Sequence, residues 1–392
     1  MTSHYFGTVP TTKLMDWFLS QISFLFFVFL GAIFNDNTGR PFSMNMPDSI
    51  SSPQVWKNLV SKYQESKKWK SIWQLANSFI PFVLVWILML FFINYSYWIT
   101  LLLAFPAAGF TIRIFIIQHD CGHGSFFSSR RANDLTGLFC SIFTLTPYYY
   151  WRKSHAIHHA SAGNLEQRGI GDIYTMTVNE YRKQTRWGKF RYRLYRNPLI
   201  LFIFSPLILF VIIYRIPSPR MKALKNYRSN VYWTDLAIAV LIGALIWLVG
   251  LEAFLLIQLP ITIITSSTGA WLFFVQHQFE DTYWSDGENW NYAYAALAGS
   301  SYYKLPKILQ WFTGNIGFHH IHHLSPKIPN YMLEKCHKEN PDFREAAKVL
   351  TFSSGFKSML LSLWDEKQKK LVSFRQMKRL YPKMDKALDT PV

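Results

Sequence analysis

WITLLLAFPAAGFTIRIFIIQHDCGH, residues 98–123, decides how this chain is read. Its first part, 98–118, is apolar and carries one charge, Arg113. A helix of that length is about 30 Å long, enough to cross the hydrocarbon core of a bilayer. The stretch ends in two histidines with HxxxH spacing, His119 and His123. Positions i and i+4 share a helix face, so both imidazoles face one point at the end of a membrane segment. Ionisable groups in such a place are functional candidates by default. Arg113 either pairs with an acid or snorkels to the interface, and snorkelling is the simpler reading.

Apolar runs and charged loops alternate outward from this stretch. Residues 78–93 are a second run, and 94–97 leave room only for a hairpin turn. Tyr95, Tyr97 and Trp98 place aromatic rings at the run ends, where the membrane interface favours them. Residues 51–70 read as one surface helix with Lys57, Lys62, Lys67, Lys68 and Lys70. Residues 139–146 are apolar but too short to span, which predicts an interfacial segment. Three more runs follow a basic stretch: 198–214, 236–249 and 253–275, the last containing Pro260. Two further histidine clusters flank these three runs. If all three spanned, the clusters would lie on opposite faces and could not share a site. Residues 198–214 contain Pro206 and lie between two basic loops. One loop holds Arg186, Lys189, Arg191, Arg193 and Arg196; the other holds Arg215, Arg220, Lys222, Lys225 and Arg228. Both read as cytoplasmic. The run is therefore expected to be re-entrant or interfacial. The predicted fold is an all-α integral membrane protein: four spanning helices in two hairpins, with a cytoplasmic helical cap that carries the histidines.

Composition agrees with a polytopic membrane protein. Half of the 392 residues are hydrophobic, 18% are aromatic, and the formal net charge is +18. In a soluble protein that charge would suggest nucleic acid. Here it sits beside apolar runs, so orientation and anionic lipid explain it without nucleic acid. The same basic face suits an acidic electron carrier. Cys121, Cys140 and Cys336 show no paired spacing and read as buried or reduced thiols. Residues 15–34 form an apolar run with Asp16 and Ser20, but without a basic leader or a cleavage site. They are either an extra membrane helix or sequence upstream of a true start at Met44 or Met46. The expected division is 1–43 as an N-terminal extension, 44–340 as the membrane domain and 341–392 as a charged cytoplasmic tail.

The chemistry lies in the histidines, of which there are twelve. His119-Asp-Cys-Gly-His123 is HxxxH. His155-Ala-Ile-His158-His159 and His319-His320-Ile-His322-His323 are both HxxHH. Positions i, i+3 and i+4 share a face, so each cluster is expected to aim its imidazoles at one locus. Imidazole suits iron, zinc, copper and nickel. The number exceeds the three or four protein ligands of one zinc, which implies two metals. HExxH is absent, so a zinc protease reading fails. A metal-bound imidazole usually donates its second N–H. Asp120, Asn164, Glu166, Asp172 and Glu280, with Asp281 beside it, are candidates to accept one.

The boxes HDCGH, HAIHH and HHIHH, in this order, resemble those of membrane fatty acid desaturases of the acyl-lipid type. So do IRIFIIQHDCGHGSFF, FFVQHQFEDTYW and GFHHIHHLSPKIPNY. The resemblance runs from about residue 53 to 340 and leaves out the first 43. It implies two iron ions held by His119, His123, His155, His158, His159, His319, His322 and His323. His277 stands where the family has one further ligand; the plain alternative is an interfacial histidine. An asparagine that some related enzymes add has no obvious counterpart. His320 fills a variable position and is expected beside the ligands rather than among them.

The implied reaction uses O2 to remove hydrogen from two adjacent methylenes, leaving a cis double bond while oxygen becomes water. The acyl chain would enter a narrow tunnel laterally from the bilayer. Electrons would come from an external donor, a ferredoxin or cytochrome b5-type protein, because no HPGG haem motif is evident. The spacing of the first box is similar to that of the delta-12 (omega-6) group, which implies oleoyl-to-linoleoyl conversion on a membrane glycerolipid. In a bacterium this would be a plasma-membrane enzyme with its boxes on the cytoplasmic side. Two other readings compete. A diiron hydroxylase or ketolase of alkanes or carotenoids would carry similar boxes. A metal carrier or transporter would need polar residues inside the spans, and these runs hold almost none.

Overall fold

The computed structural model describes residues 52–219 and 221–382. The run at 15–34 and Met44 and Met46 lie outside them. Residues 51–70 are not one helix. Helix α1 (Pro53–Ser61) starts on proline, whose fixed φ suits a first helical turn. It buries Trp56 and Val60, with Tyr63, against Ile321, Leu324 and Met332. The Tyr63 hydroxyl donates to Glu339 at 2.7 Å, so this segment is pinned to the histidine-bearing part of the chain. Lys68 then opens a separate, long helix.

Among the described residues, four helices are long and apolar enough to cross a membrane. The first two are α2 (Lys68–Phe92) and α3 (Tyr97–His123). Helix α3 is the central one: 56% of its apolar window is buried, against 17% for α2. Ala104, Ala107 and Ala108 let neighbours approach closely, among them Met89, Ile257 and Ile261. Gly124, at φ 67°, ends α3 directly after His123, with its N–H donating to the Asp120 and Cys121 carbonyls.

Arg113 does not snorkel. Its side chain is buried inside α3, 4.0 Å above the Trp311 ring, and donates to the Trp311 carbonyl. The interior provides an aromatic face and a carbonyl, so the guanidinium has no need to reach water.

Helices α4 (Arg130–Phe143) and α5 (Tyr148–Ser161) follow. The expected interfacial segment at 139–146 is the end of α4 and its exit, with Phe139 and Phe143 on Phe79 of α2. Next come β1 (Met176–Thr177), α6 (Val178–Lys183) and α7 (Arg186–Tyr195). The run at 198–214 is not a straight helix. It passes through a π-helical turn at Ile200–Phe204, then α8 (Ser205–Val211), then a 3-10 turn at Ile213–Arg215. It lies at 60° to α7, the geometry of a broken span or a re-entrant loop. Phe202 packs edge-on against Trp271 and Phe274, on the helix that carries His277. Helices α9 (Arg228–Val249) and α10 (Leu251–His277) complete the four, separated by Gly250 alone at φ 83°.

The remaining elements are short: α11 (Tyr292–Ala298), β2 (Tyr302–Tyr303), α12 (Lys307–Phe312), α13 (His319–Leu324), α14 (Asn330–Glu339) and α15 (Pro341–Glu345). After them come β3 (Val349–Leu350), α16 (Phe352–Ser358), β4 (Leu361–Asp365), β5 (Lys370–Ser373) and α17 (Phe374–Leu380). The protein is thus mostly helical rather than all-α. β4 pairs in parallel with β1, Met176 opposite Leu363, and antiparallel with β5; β2 and β3 form a second, parallel pair. Residues 341–382 are therefore built into the fold. Trp364 of β4 is 1% exposed, and Leu363 packs with Val178, Tyr181 and Tyr192.

Candidate metal centre

Four elements bring nine histidines together. α3 supplies His119 and His123 from its last turn, and α10 ends on His277. α5 supplies His155, His158 and His159; α13 supplies His319, His322 and His323. They do not gather by box. One group is His119, His123, His155, His159 and His322; the other is His158, His277, His319 and His323. Within each group the potential ligand atoms lie within 4.8 Å of one another. Successive helix residues are about 100° apart. Partners at i and i+4 therefore stay together, as His155 with His159 and His319 with His323. The residue at i+3 sits about 100° from i+4 and turns to the other group, as His158 and His322 do. Each HxxHH box thus serves both groups rather than one locus.

Ring nitrogens face each other across both groups. His159 Nε2 lies 3.1 Å from His155 Nε2 and 3.0 Å from His322 Nε2. His319 Nε2 lies 3.0 Å from His277 Nε2. Several other ring nitrogens are buried without any hydrogen-bond partner, among them His123 Nε2, His158 Nε2 and His323 Nε2. Burying a polar nitrogen unpaired costs about 1–3 kcal/mol. Burial, reinforced by neighbouring imidazoles, holds His159, His319, His322 and His323 well below the usual imidazole range. These four rings are therefore neutral, with lone pairs available, which is the form that binds a metal. Converging lone pairs, missing donors and burial together fit two divalent cations.

The second nitrogens of His119, His158 and His277 are held from outside. His119 Nδ1 lies 3.2 Å from Asp120 Oδ1. The other Asp120 oxygen accepts from the Asn330 backbone N–H at 2.7 Å and its side-chain amide at 2.8 Å. His158 Nδ1 is bonded to Asp172, and His277 Nδ1 points to the Gly299 carbonyl at 3.2 Å. Gly171 permits the Asp172 contact. Its φ is 74°, and a Cβ there would come within 3.1 Å of His158 Cβ and 3.2 Å of the Ser154 carbonyl. Asn330 and Gly299 carry no sequence signal for these roles, being 210 and 22 residues from their partners.

The other candidates are engaged elsewhere. Asn164 accepts from the Glu166 backbone N–H within its own loop. The Glu166 carboxylate lies against Gly287. Glu280 pairs with Lys370 at 3.2 Å, and Asp281 with Lys348 at 2.8 Å. His320 turns away from both groups, with Nε2 3.0 Å from His337 Nδ1. Burial holds His337 down at about 4, so that pair is neutral. A small cavity touches the four-histidine group. Its lining includes His158, His277, Asp172, Phe273 and Gln278, and its volume of about 20 Å³ suits one molecule of about water's size.

Long apolar helices ending in two groups of converging histidines define a mostly helical protein of membrane type, with clusters that could hold metal. Comparison with known proteins names the family. A model described as "Fatty acid desaturase" matches residues 95–355. The chain is 47% identical over 321 residues to a fatty acid desaturase of Bacillus subtilis (strain 168), covering 82% of this chain and 90% of that protein. It is 26% identical over 302 residues to a chloroplastic omega-6 fatty acid desaturase of Glycine max, covering 71% and 63%. It is 28% identical over 240 residues to an sn-1 acyl-lipid omega-3 desaturase (ferredoxin) of Nostoc sp. (strain 36), covering 57% and 62%. The chain belongs to the fatty acid desaturase family and is an oxidoreductase of that class.

Proposed function

We propose that this protein desaturates fatty-acyl chains of membrane lipids at a diiron centre. His119, His123, His155, His159 and His322 would hold one iron; His158, His277, His319 and His323 would hold the other. The observation that carries the reading is the division of nine imidazoles into two convergent groups. An all-imidazole ligand set suits iron, and bound iron would supply the one-electron chemistry needed to use O2. In the net reaction an acyl chain loses two hydrogens, and O2 with two electrons and two protons becomes two waters.

The protein's part is preorganisation. Asp120, Asp172 and the Gly299 carbonyl fix ring orientation, so little rearrangement is left to the reaction. Trp151 stacks on His155 at 4.6 Å, and Phe273 lies 5.1 Å from His158. These rings help exclude water from a site that handles a reactive oxidant.

The helices would form two hairpins, with the histidine cap and the basic loops on the cytoplasmic side and, in a bacterium, in the plasma membrane. Residues 44–340 would be the catalytic unit, completed by the strands after 340. Electrons would come from an acidic ferredoxin or a cytochrome b5-type donor attracted to the basic face. The delta-12 position rests on first-box spacing, and the relatives divide between omega-3 and omega-6 names. Product mapping therefore decides position. The test is expression in a host with defined monoenes and added ferredoxin, with double bonds located by mass spectrometry. New cis double bonds that vanish in His158→Ala support the reading; oxygenated products, or activity surviving that change, overturn it.

A further inference from the structure

Away from the histidines, an apolar groove of about 620 Å³ runs between α2 and α4. Leu75, Ala76, Phe79 and Val83 line one side; Leu135, Thr136, Phe139 and Phe143 line the other. From Leu75 to Val83 the groove follows about 12 Å of helix, close to the thickness of one leaflet's hydrocarbon. Val83, Leu135 and Phe139 are 47%, 59% and 51% exposed, so the groove opens to the surroundings of the helices rather than to the core. Its walls are ordered by Phe79, which packs on both Phe139 and Phe143 at 5.1 Å.

Both helices carry a cation above this groove, on its own face. On α2, Lys68, Ile72, Ala76, Phe79 and Val83 recur at helical spacing of three or four. On α4, Arg131, Leu135 and Phe139 do the same. Both helices begin near the histidine cap: Ser71 of α2 bonds the Phe126 carbonyl, just past His123, and α4 starts at Arg130. Lys68 and Arg131 are exposed, and among the described residues neither has a carboxylate within ion-pair distance. The nearby acid, Asp134, is already held by Arg152 at 2.7 Å and faces Arg130. The site is thus a leaflet-length apolar slot with, among the described residues, two uncompensated cations at the headgroup end.

We propose that this groove binds one anionic glycerophospholipid, with an acyl chain along Leu75, Phe79, Val83, Leu135 and Phe139 and its phosphate between Lys68 and Arg131. The site is separate from the metal centre and does not depend on the metal assignment. Each basic side chain near a membrane surface favours an anionic lipid by about 1 kcal/mol, so two give a preference on the order of 30-fold over a zwitterionic lipid.

The test is native mass spectrometry of the full chain in detergent, titrated with equal amounts of dioleoyl-phosphatidylglycerol and dioleoyl-phosphatidylcholine. One phosphatidylglycerol should remain bound per chain, with a preference of about 30-fold. The double reversal Lys68→Glu with Arg131→Glu should bring that preference to about one. Thr136→Trp, which fills the groove and keeps both cations, should remove the bound lipid. Excess inorganic phosphate should leave the lipid in place. Equal retention of the two lipids by the wild type overturns the proposal. So does an unchanged preference in the double variant, unchanged occupancy in Thr136→Trp, or displacement by phosphate alone. All three positions lie outside the metal centre, so the iron content of the variants should be unaffected.

Discussion

Replacing Asp172 separates the two histidine groups experimentally. Its carboxylate is bonded to His158 Nδ1, with the two side chains 10% and 1% exposed. A carboxylate on a metal-bound histidine typically contributes 10- to 100-fold in metal affinity. The buried, charge-assisted setting places this contact near the upper end, about 2–3 kcal/mol. Asp172→Asn keeps an oxygen acceptor and should lose about 10-fold; Asp172→Ala should lose about 100-fold. The assay is anaerobic competition with a graded iron chelator, counting iron per chain by mass spectrometry. Because His158 belongs only to the four-histidine group, Asp172→Ala should release one iron well before the other. Identical chelator curves for wild type, Asn and Ala would refute the argument, as would loss of both irons in a single step at the wild-type midpoint.

Substitutions at three other positions test the packing that positions the site. Gly137→Ala would put a Cβ 2.2 Å from the ring of buried Tyr148, whose hydroxyl is tied to the Cys121 carbonyl at 2.9 Å. Overpacking there should cost about 1–3 kcal/mol, read as a lower melting temperature in detergent. Arg113→Ala should destabilise by about 2–3 kcal/mol, and Arg113→Lys should recover little of it, because an ammonium cannot both lie flat on Trp311 and bond its carbonyl. Trp364→Ala should cost about 3–5 kcal/mol in the same thermal assay, since the side chain is fully enclosed. A near-wild-type melt for that variant would show that the C-terminal strands are dispensable to the fold.

How legible all this was depends on the range of the forces involved. Hydropathy and helical spacing are local, so the apolar runs and the three boxes can be read directly from the chain. Loop charge, run length and Pro206 are local signals around 198–214, but the π turn that opens the run and the 60° bend between it and α7 are not legible from them. The sorting of histidines into groups was within reach but was missed. The 100° step per residue already separates i+3 from i+4, so each HxxHH box carries the split within its own spacing. Arg113 went wrong because the sequence shows a charge in an apolar run but not Trp311, folded onto it from nearly two hundred residues away. The Asp120–Asn330 clamp and the β1–β4 pairing are equally long-range. A charged composition made the residues after 340 look like a tail, although Trp364 and Leu363 are core positions.

The account rests on two metals shared among nine histidines, and a metal count on anaerobically purified protein tests this most directly. It predicts two irons per chain, falling to one in His277→Ala, because His277 belongs to the four-histidine group alone. A single metal per chain, zinc in place of iron, or an unchanged count in His277→Ala would contradict it.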